Sequence, residues 1–169
     1  MKSRFVITGA LLRLRRYGRD EDPEFNLEYG NIKKALEGKE VTLKTVREAI
    51  VAIRNAKLPD PRQMGNAGSF FKNPVVPIAI YETLRQAYPD MPSYDMDPKT
   101  KKIPAGWLIE HCGLKGYRMG GAAVYEKQCL VLVNADHAKP TDVVELCQHV
   151  VNCVEQKFGI TIEPEVNIL

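Results

Sequence analysis

The ten residues Gly65-Asn66-Ala67-Gly68-Ser69-Phe70-Phe71-Lys72-Asn73-Pro74 set two glycines ahead of a serine, a pair of aromatics and a lysine. A phosphate cradle, a tight turn into a strand, or the seat of a reactive hydroxyl would each use such residue types. The phosphate readings fail on spacing. A P-loop needs four residues between its glycines and a lysine directly after the second, and the dinucleotide fingerprint needs G-x-G-x-x-G. Here two residues separate Gly65 from Gly68, and Ser69 follows. The turn reading asks only that glycine adopt positive φ at little cost. The hydroxyl reading needs a neighbour that shifts the proton affinity of Ser69, because an unperturbed hydroxyl is a very weak acid. Lys72 or a nearby carboxylate is a candidate for that neighbour, and local spacing leaves turn and hydroxyl both open.

Two further segments carry charge in suggestive places. In Leu114-Lys115-Gly116-Tyr117-Arg118-Met119-Gly120-Gly121, two cations surround a glycine turn and two glycines open a strand. Such turns present amides and cations to phosphate, or serve as hairpin turns with solvated charges. In Glu163-Pro164-Glu165-Val166 two carboxylates stand two residues apart, so on an extended strand they share one face. They are either paired acids for chemistry or solubilising charges.

The elements that must position these residues follow from periodicity. Residues 4–16 alternate apolar and polar and predict a strand with Gly9 as a bulge, followed by a charged loop over 17–28. Val46, Ala49, Ile50 and Ile53 fall at helical spacing over 42–54, with Thr45 and Glu48 as a capping box, and Pro59 and Pro61 end that helix. A strand over 69–76 and a helix over 78–88 come next. The proline-bearing stretch 89–103 reads as a long loop, and a helix over 105–112 stops at Gly113. Strands are expected over 122–125 and 130–133, then a helix over 141–158 with Thr141 as N-cap and Gly159 as C-cap, then a last alternating strand over 160–169. The order is that of an α+β fold with helices packed on a sheet.

Composition bounds the rest. The 169 residues suit one ordinary domain or a small domain with a piece of another, and the apolar and charged shares, 44% and 27%, are those of a soluble globular protein. A net charge of +3 is mild, and the basic residues interleave with acids, which argues against a nucleic-acid partner. No run approaches the roughly 20 apolar residues of a membrane span. Arg13, Arg15 and Arg16 follow the short apolar N-terminal run with no small-residue cleavage site, so no signal peptide is read and a cytoplasmic location is expected. Cys112, Cys129, Cys147 and Cys153 form no zinc-type spacing and read as reduced thiols, with no metal expected.

Three segments occur together in one order: "GNAGSFFKNPVV", "AGWLIEHCGLKGYRMGGAAVYEKQCLVLVN" and "IEPEVNIL". From about Arg4 to Leu169 the chain resembles the C-terminal half of the UDP-N-acetylenolpyruvoylglucosamine reductase (MurB) family, in the form with the longer substrate domain. The resemblance implies an FAD-mediated, NADPH-dependent reduction of UDP-N-acetylglucosamine enolpyruvate. By the same resemblance Ser69 is the proton donor and Glu165 assists protonation and polarises the substrate carboxylate. Lys57, Asn73, Tyr94, Lys115 and Gln128 fall at positions that contact UDP, diphosphate or sugar, and Arg54 falls near the flavin.

The FAD-binding N-terminal region of the family has no counterpart in this chain, and Asn167 stands where some relatives carry an arginine near the flavin. The resemblance therefore implies three parts: residues 1–56 as a remnant of the FAD-binding domain, 57–159 as the substrate domain, and 160–169 as a strand returning to the FAD-binding domain. Such a chain is expected to be inactive alone and to self-associate through edges that a missing domain would cover. A stand-alone nucleotide-sugar binding module, without flavin chemistry, is the alternative of a different class.

Overall fold

The computed structural model describes residues 8–17, 23–28 and 30–168. The chain divides into two units, Met1–Ile53 and Arg54–Leu169.

The first unit is small. Helix α1 (Ile32–Ala35) and the first turns of α2 (Leu43–Lys57) bring Ile32, Leu36 and Ala49 together, flanked by Leu27, Val46 and Ile53. The capping box of α2 sits one turn earlier than expected. Thr42 Oγ1 accepts from the Thr45 amide at 3.1 Å, and Thr45 Oγ1 accepts from the Thr42 amide at 2.9 Å. Thr42 can fill the N-cap because its own side chain reaches the third helical amide, which Thr45 cannot do from inside the helix. The expected strand over 4–16 is corrected for residues 8–16, which carry no regular structure, while residues 4–7 lie outside the described residues. Alternation alone does not make a strand. Leu11, Leu12 and Leu14 are 76–101% exposed, and no strand among the described residues pairs with them. Of the expected loop over 17–28, residues 18–22 lie outside the described set.

The second unit holds the α+β layers. A four-stranded antiparallel sheet runs in the order β1–β7–β6–β5, from β1 (Asn66–Ser69), β5 (Arg118–Met119), β6 (Ala122–Val124) and β7 (Val131–Asn134). Helix α5 (Pro140–Phe158) lies on β5, β6 and β7 and buries Leu146, Cys147, Val150, Val154 and Phe158, one helical face. Its N-cap is Lys139 rather than Thr141. Pro140 takes the first helical position, where no donor is needed, and Asp142 accepts from the Lys139 amide at 3.0 Å. Gly159 closes α5 with φ +64°.

The expected strand over 69–76 is two strands in two sheets. After β1 the chain makes a single bridge at Phe71, and only β2 (Val75–Pro77) resumes regular pairing, now with β4 (Thr100–Lys102). Helix α3 (Ile78–Ala87) follows and packs on β2 and β4. The stretch 89–103, expected as a loop, is a hairpin of β3 (Tyr94–Asp97) and β4. Its turn is built by Asp97, which accepts from the Lys99 amide and the Thr100 hydroxyl, both at 2.7 Å. Asp95 and Lys101 pair across the strands at 2.6 Å. Pro89 and Pro92 precede the strands and Pro98 sits in the turn, so the prolines mark the hairpin's boundaries.

Helix α4 (Ala105–His111) is pinned by Leu108 and Ile109, both fully buried, and Gly113 ends it at φ +75°. The last segment alternates as expected, with Ile160 and Ile162 buried and Thr161 and Glu163 exposed. It forms one bridge, Phe71 with Pro164, rather than a strand. The bridge is a non-hydrogen-bonded pair flanked by Lys72 N to Glu163 O and Glu165 N to Phe70 O, so Pro164 fits there because the amide it lacks would point away from the partner. Leu169 lies outside the described residues. Among the described residues no helix is long and apolar enough to cross a membrane.

Candidate active site

Helix α4, the turn between β6 and β7, and Tyr94 at the start of β3 enclose a cavity of about 300 Å³. Five of the residues singled out in the sequence, Lys57, Asn73, Tyr94, Lys115 and Gln128, line it together. Each is positioned by a local device. Asn73 Oδ1 accepts from the Ala105 amide at 2.9 Å and so caps the start of α4 from before β2, α3 and the β3–β4 hairpin in the chain. Gln128 Oε1 accepts from the Leu130 amide at 3.4 Å, which holds the amide side chain in the β6–β7 turn. Gly106 lets α4 approach that turn, since a Cβ there would stand 3.2 Å from Gln128 Oε1 and 3.4 Å from Leu130 Cγ. Lys115 follows the buried Leu114, between Gly113 and Gly116, both at positive φ.

The wall of the cavity is stiff. The Trp107 ring stacks on His111 with centroids 3.6 Å apart, and Tyr88 meets it edge-on at 5.7 Å. Lys157 on α5 donates to the His111 carbonyl, tying the end of α4 to the long helix.

Charge in the cavity is mixed. Lys57, Lys115 and Lys127 face Glu110 and Glu126. Lys115 Nζ donates to Glu110 Oε1 at 2.8 Å, which holds the Glu110 carboxyl below its ordinary range and raises Lys115 above its own. Cys129, beside them, is pushed up by burial. Trp107, Glu110, Glu126 and Lys127 were not anticipated from sequence. For Glu110 the signal was present: a carboxylate five residues before a lysine, across a helix-ending glycine.

Ser69 and Glu165 form a second locus outside this cavity's lining. Asn66 Oδ1 accepts from the Gly68 amide at 3.0 Å, and Gly68 takes φ +74°, so the register of β1 against β7 slips between Asn66 and Ser69. This bulge leaves Ser69 exposed at the strand's end. The Glu165 amide donates to Phe70 O at 2.8 Å, one residue on from Ser69. Glu163 and Glu165 are both exposed, and Glu163 holds Lys72 at 2.6 Å. The two glycines thus serve a bulge, while the serine they lead into stands beside a carboxylate-bearing segment.

Arg54, one helical turn before Lys57 on α2, is not in the first cavity's lining. It lines a cavity of about 420 Å³ with Asn55, Leu58 and Pro59, where Arg62 grips Asp60 at 2.8 and 3.1 Å. The glycines of the 114–121 turn have a structural task. The Gly121 amide donates to Asp142 Oδ2 at 3.0 Å, and a Cβ on Gly121 would stand 2.3 Å from Asp136 O. They seat the start of α5 against the sheet.

The layered arrangement is α+β with a polar, lysine-rich cavity at the end of a short helix. A family model described as UDP-N-acetylenolpyruvoylglucosamine reductase, C-terminal domain, matches residues 60–169, and the chain belongs to that family. The UDP-N-acetylenolpyruvoylglucosamine reductase of Porphyromonas gingivalis is 50% identical over 149 residues, covering 87% of this chain and 44% of that protein. The one from Bacteroides fragilis is 53% identical over 146 residues, covering 86% and 44%, and the one from Neisseria gonorrhoeae is 45% identical over 172 residues, covering 99% and 48%. The chain thus spans less than half the length of these relatives. A crystal structure of the enzyme (MurB) from Thermus caldophilus aligns with 76% of this chain and 36% of its own, at 24% identity and a TM-score of 0.44.

Proposed function

We propose that the chain is the substrate-binding part of a UDP-N-acetylenolpyruvoylglucosamine reductase. On this reading it holds UDP-N-acetylglucosamine enolpyruvate for reduction to UDP-N-acetylmuramate in peptidoglycan precursor synthesis. The observation that carries the reading is the gathering of Lys57, Asn73, Tyr94, Lys115 and Gln128, dispersed in sequence, on one cavity. Its volume of about 300 Å³ falls at the lower end of small-molecule sites. Lysines there offer a diphosphate charge-assisted hydrogen bonds, which are about twice as strong as neutral ones. Asn73, with Oδ1 committed to α4, keeps its amide nitrogen for an acceptor on the ligand. Gln128, with Oε1 turned to its own loop, does the same.

Ser69 and Glu165 serve the proton. Reduction of the enolpyruvyl double bond requires a proton at the carbon beside the substrate carboxylate. Ser69 Oγ donates it, and a hydroxyl of high pKa suffices because that carbon is strongly basic at the moment of transfer. Glu165, whose amide bonds the carbonyl of Phe70, the residue after Ser69, is assigned to orient the hydroxyl and assist its reprotonation.

FAD and NADPH belong to the full reaction under this reading. The described residues do not fit a flavin site. The recess lined by Arg54 has no aromatic side chain to stack on an isoalloxazine ring, and its Asp60 and Arg62 are paired with each other. The reading therefore assigns flavin and nicotinamide binding to polypeptide outside the described residues.

Calorimetric titration of UDP-N-acetylglucosamine enolpyruvate into the purified chain tests the assignment. Saturable one-to-one binding is expected, weakened about tenfold or more in Lys115→Ala, the usual loss for a charged hydrogen bond. No saturable binding would overturn it.

A further inference from the structure

Of the three lysines on the cavity, Lys115 is the one that already holds an anion. Its Nζ bonds Glu110 Oε1 at 2.8 Å, whereas Lys57 and Lys127 make no ion pair among the described residues. The pair is built into the end of α4 rather than being a chance surface contact. The Gly113 amide donates to Glu110 O at 2.9 Å, the Tyr117 amide to Leu114 O at 3.0 Å, and buried Leu114 fixes the chain between the two charged residues. Both side chains line the same cavity and are about half exposed, at 52% for Lys115 and 49% for Glu110. A phosphate entering the cavity meets a lysine whose first coordination position is taken.

We propose that Glu110 is a positioning residue that acts as an internal competitor for the ligand's phosphates. It holds the Lys115 ammonium while no ligand is present, and it yields the ammonium when a diphosphate arrives. The inference rests on the reading of the cavity as a nucleotide-sugar site and goes beyond it by assigning Glu110 a part in setting affinity. A half-exposed ion pair is worth little, and its loss on ligand entry weakens binding by only about three- to fivefold. Glu110 thus tunes how tightly the diphosphate is held rather than whether it binds.

The experiment is a double-mutant cycle read by calorimetry, with UDP as the titrant. It uses the parent chain, Glu110→Gln, Lys115→Ala and the double variant, each checked by thermal unfolding. Glu110→Gln keeps the shape of the side chain and removes its charge. The expected result is UDP binding about three- to fivefold tighter in Glu110→Gln than in the parent, with the gain absent when the same change is made in the Lys115→Ala background. A merely structural role for Glu110 would not make its effect depend on Lys115. Unchanged or weaker UDP affinity in Glu110→Gln overturns the inference alone. So does a gain that persists without Lys115, because it reports simple charge repulsion between Glu110 and the ligand. Absence of UDP binding to the parent chain overturns the reading of the cavity, and the inference with it.

Discussion

Asn73 does two jobs that substitution can separate. Its Oδ1 accepts from the Ala105 amide at 2.9 Å, one of the unpaired donors at the start of α4, and its side chain also faces the cavity. Asn73→Ala removes both functions. Loss of a capping acceptor costs about 1 kcal/mol, which for a unit of this size lowers the melting temperature by about 3–5 °C. Helix α4 carries Trp107 and Glu110, so fraying at its first turn also loosens the cavity. Asn73→Asp keeps the acceptor and loses the amide donor, and it adds a negative charge among groups proposed to hold a diphosphate. Its melting temperature is expected to stay within about 1 °C of the parent. Its affinity for UDP is expected to fall by about tenfold or more, through loss of a hydrogen bond and like-charge repulsion. Differential scanning calorimetry and titration with UDP on the three proteins read the two effects separately. The reasoning fails if Asn73→Asp is as destabilised as Asn73→Ala, because the bond to Ala105 is then not what holds α4. It fails equally if Asn73→Asp binds UDP as the parent does.

Three other outcomes follow from the same physical picture. The Asp142 carboxyl is held below its ordinary range first by the Gly121 amide and then by the Lys139 amide, so its contribution to stability is present above the unfolded carboxylate pKa and is lost as pH falls through the lower folded value. Thermal unfolding of Asp142→Ala should therefore lie a few degrees below the parent at neutral pH, with the gap closing below about pH 4; a gap independent of pH would contradict this. In a full-length reductase carrying this sequence, Ser69→Ala should leave reduction by NADPH intact and slow turnover of the enolpyruvyl sugar by about two to four orders of magnitude, and an unchanged rate removes Ser69 as the proton donor. The purified chain alone is expected to show no stoichiometric flavin absorbance on incubation with FAD; one equivalent retained through gel filtration would show that these residues do form a flavin site.

Local chemistry made some elements readable and left others hidden. Helix α5 was legible because Cys147, Val150, Val154 and Phe158 mark one face over many turns and Gly159 can take the left-handed conformation that ends it. Its N-cap was misread because Thr141 is the better capping residue in isolation, whereas Pro140 demands the first helical position. The β3–β4 hairpin was hidden because its strands are short, β3 exposed and β4 half-buried, and are stabilised by Asp97 and by the Asp95–Lys101 pair rather than by an alternating apolar face. Residues 8–16 show the reverse error, an apolar alternation with nothing to pair against.

The candidate site divides in the same way. Ser69 was conspicuous in its glycine setting, but no local signal brought Glu165 near it in the chain; the Phe71–Pro164 bridge sets Glu165 against Phe70, the residue after Ser69. Nor did periodicity link Lys57 at the end of α2, Tyr94 at the start of β3 and Gln128 in the β6–β7 turn, which line one cavity. Those associations rest on resemblance to a family, whose model matches residues 60–169 and so takes in Tyr94 and Gln128 but not Lys57.

The central proposal is that one cavity receives the nucleotide-sugar and that Ser69 and Glu165, which stand outside its lining, serve the proton at the reacting end. Amide chemical-shift mapping tests it directly, with UDP-N-acetylglucosamine enolpyruvate added to the isotopically labelled chain. The account predicts the largest shifts at Gly106, Trp107, Lys115 and Gln128, with a second group at Ser69 and Glu165. Shifts confined to the recess around Arg54 and Arg62, or none at saturating ligand, would contradict it.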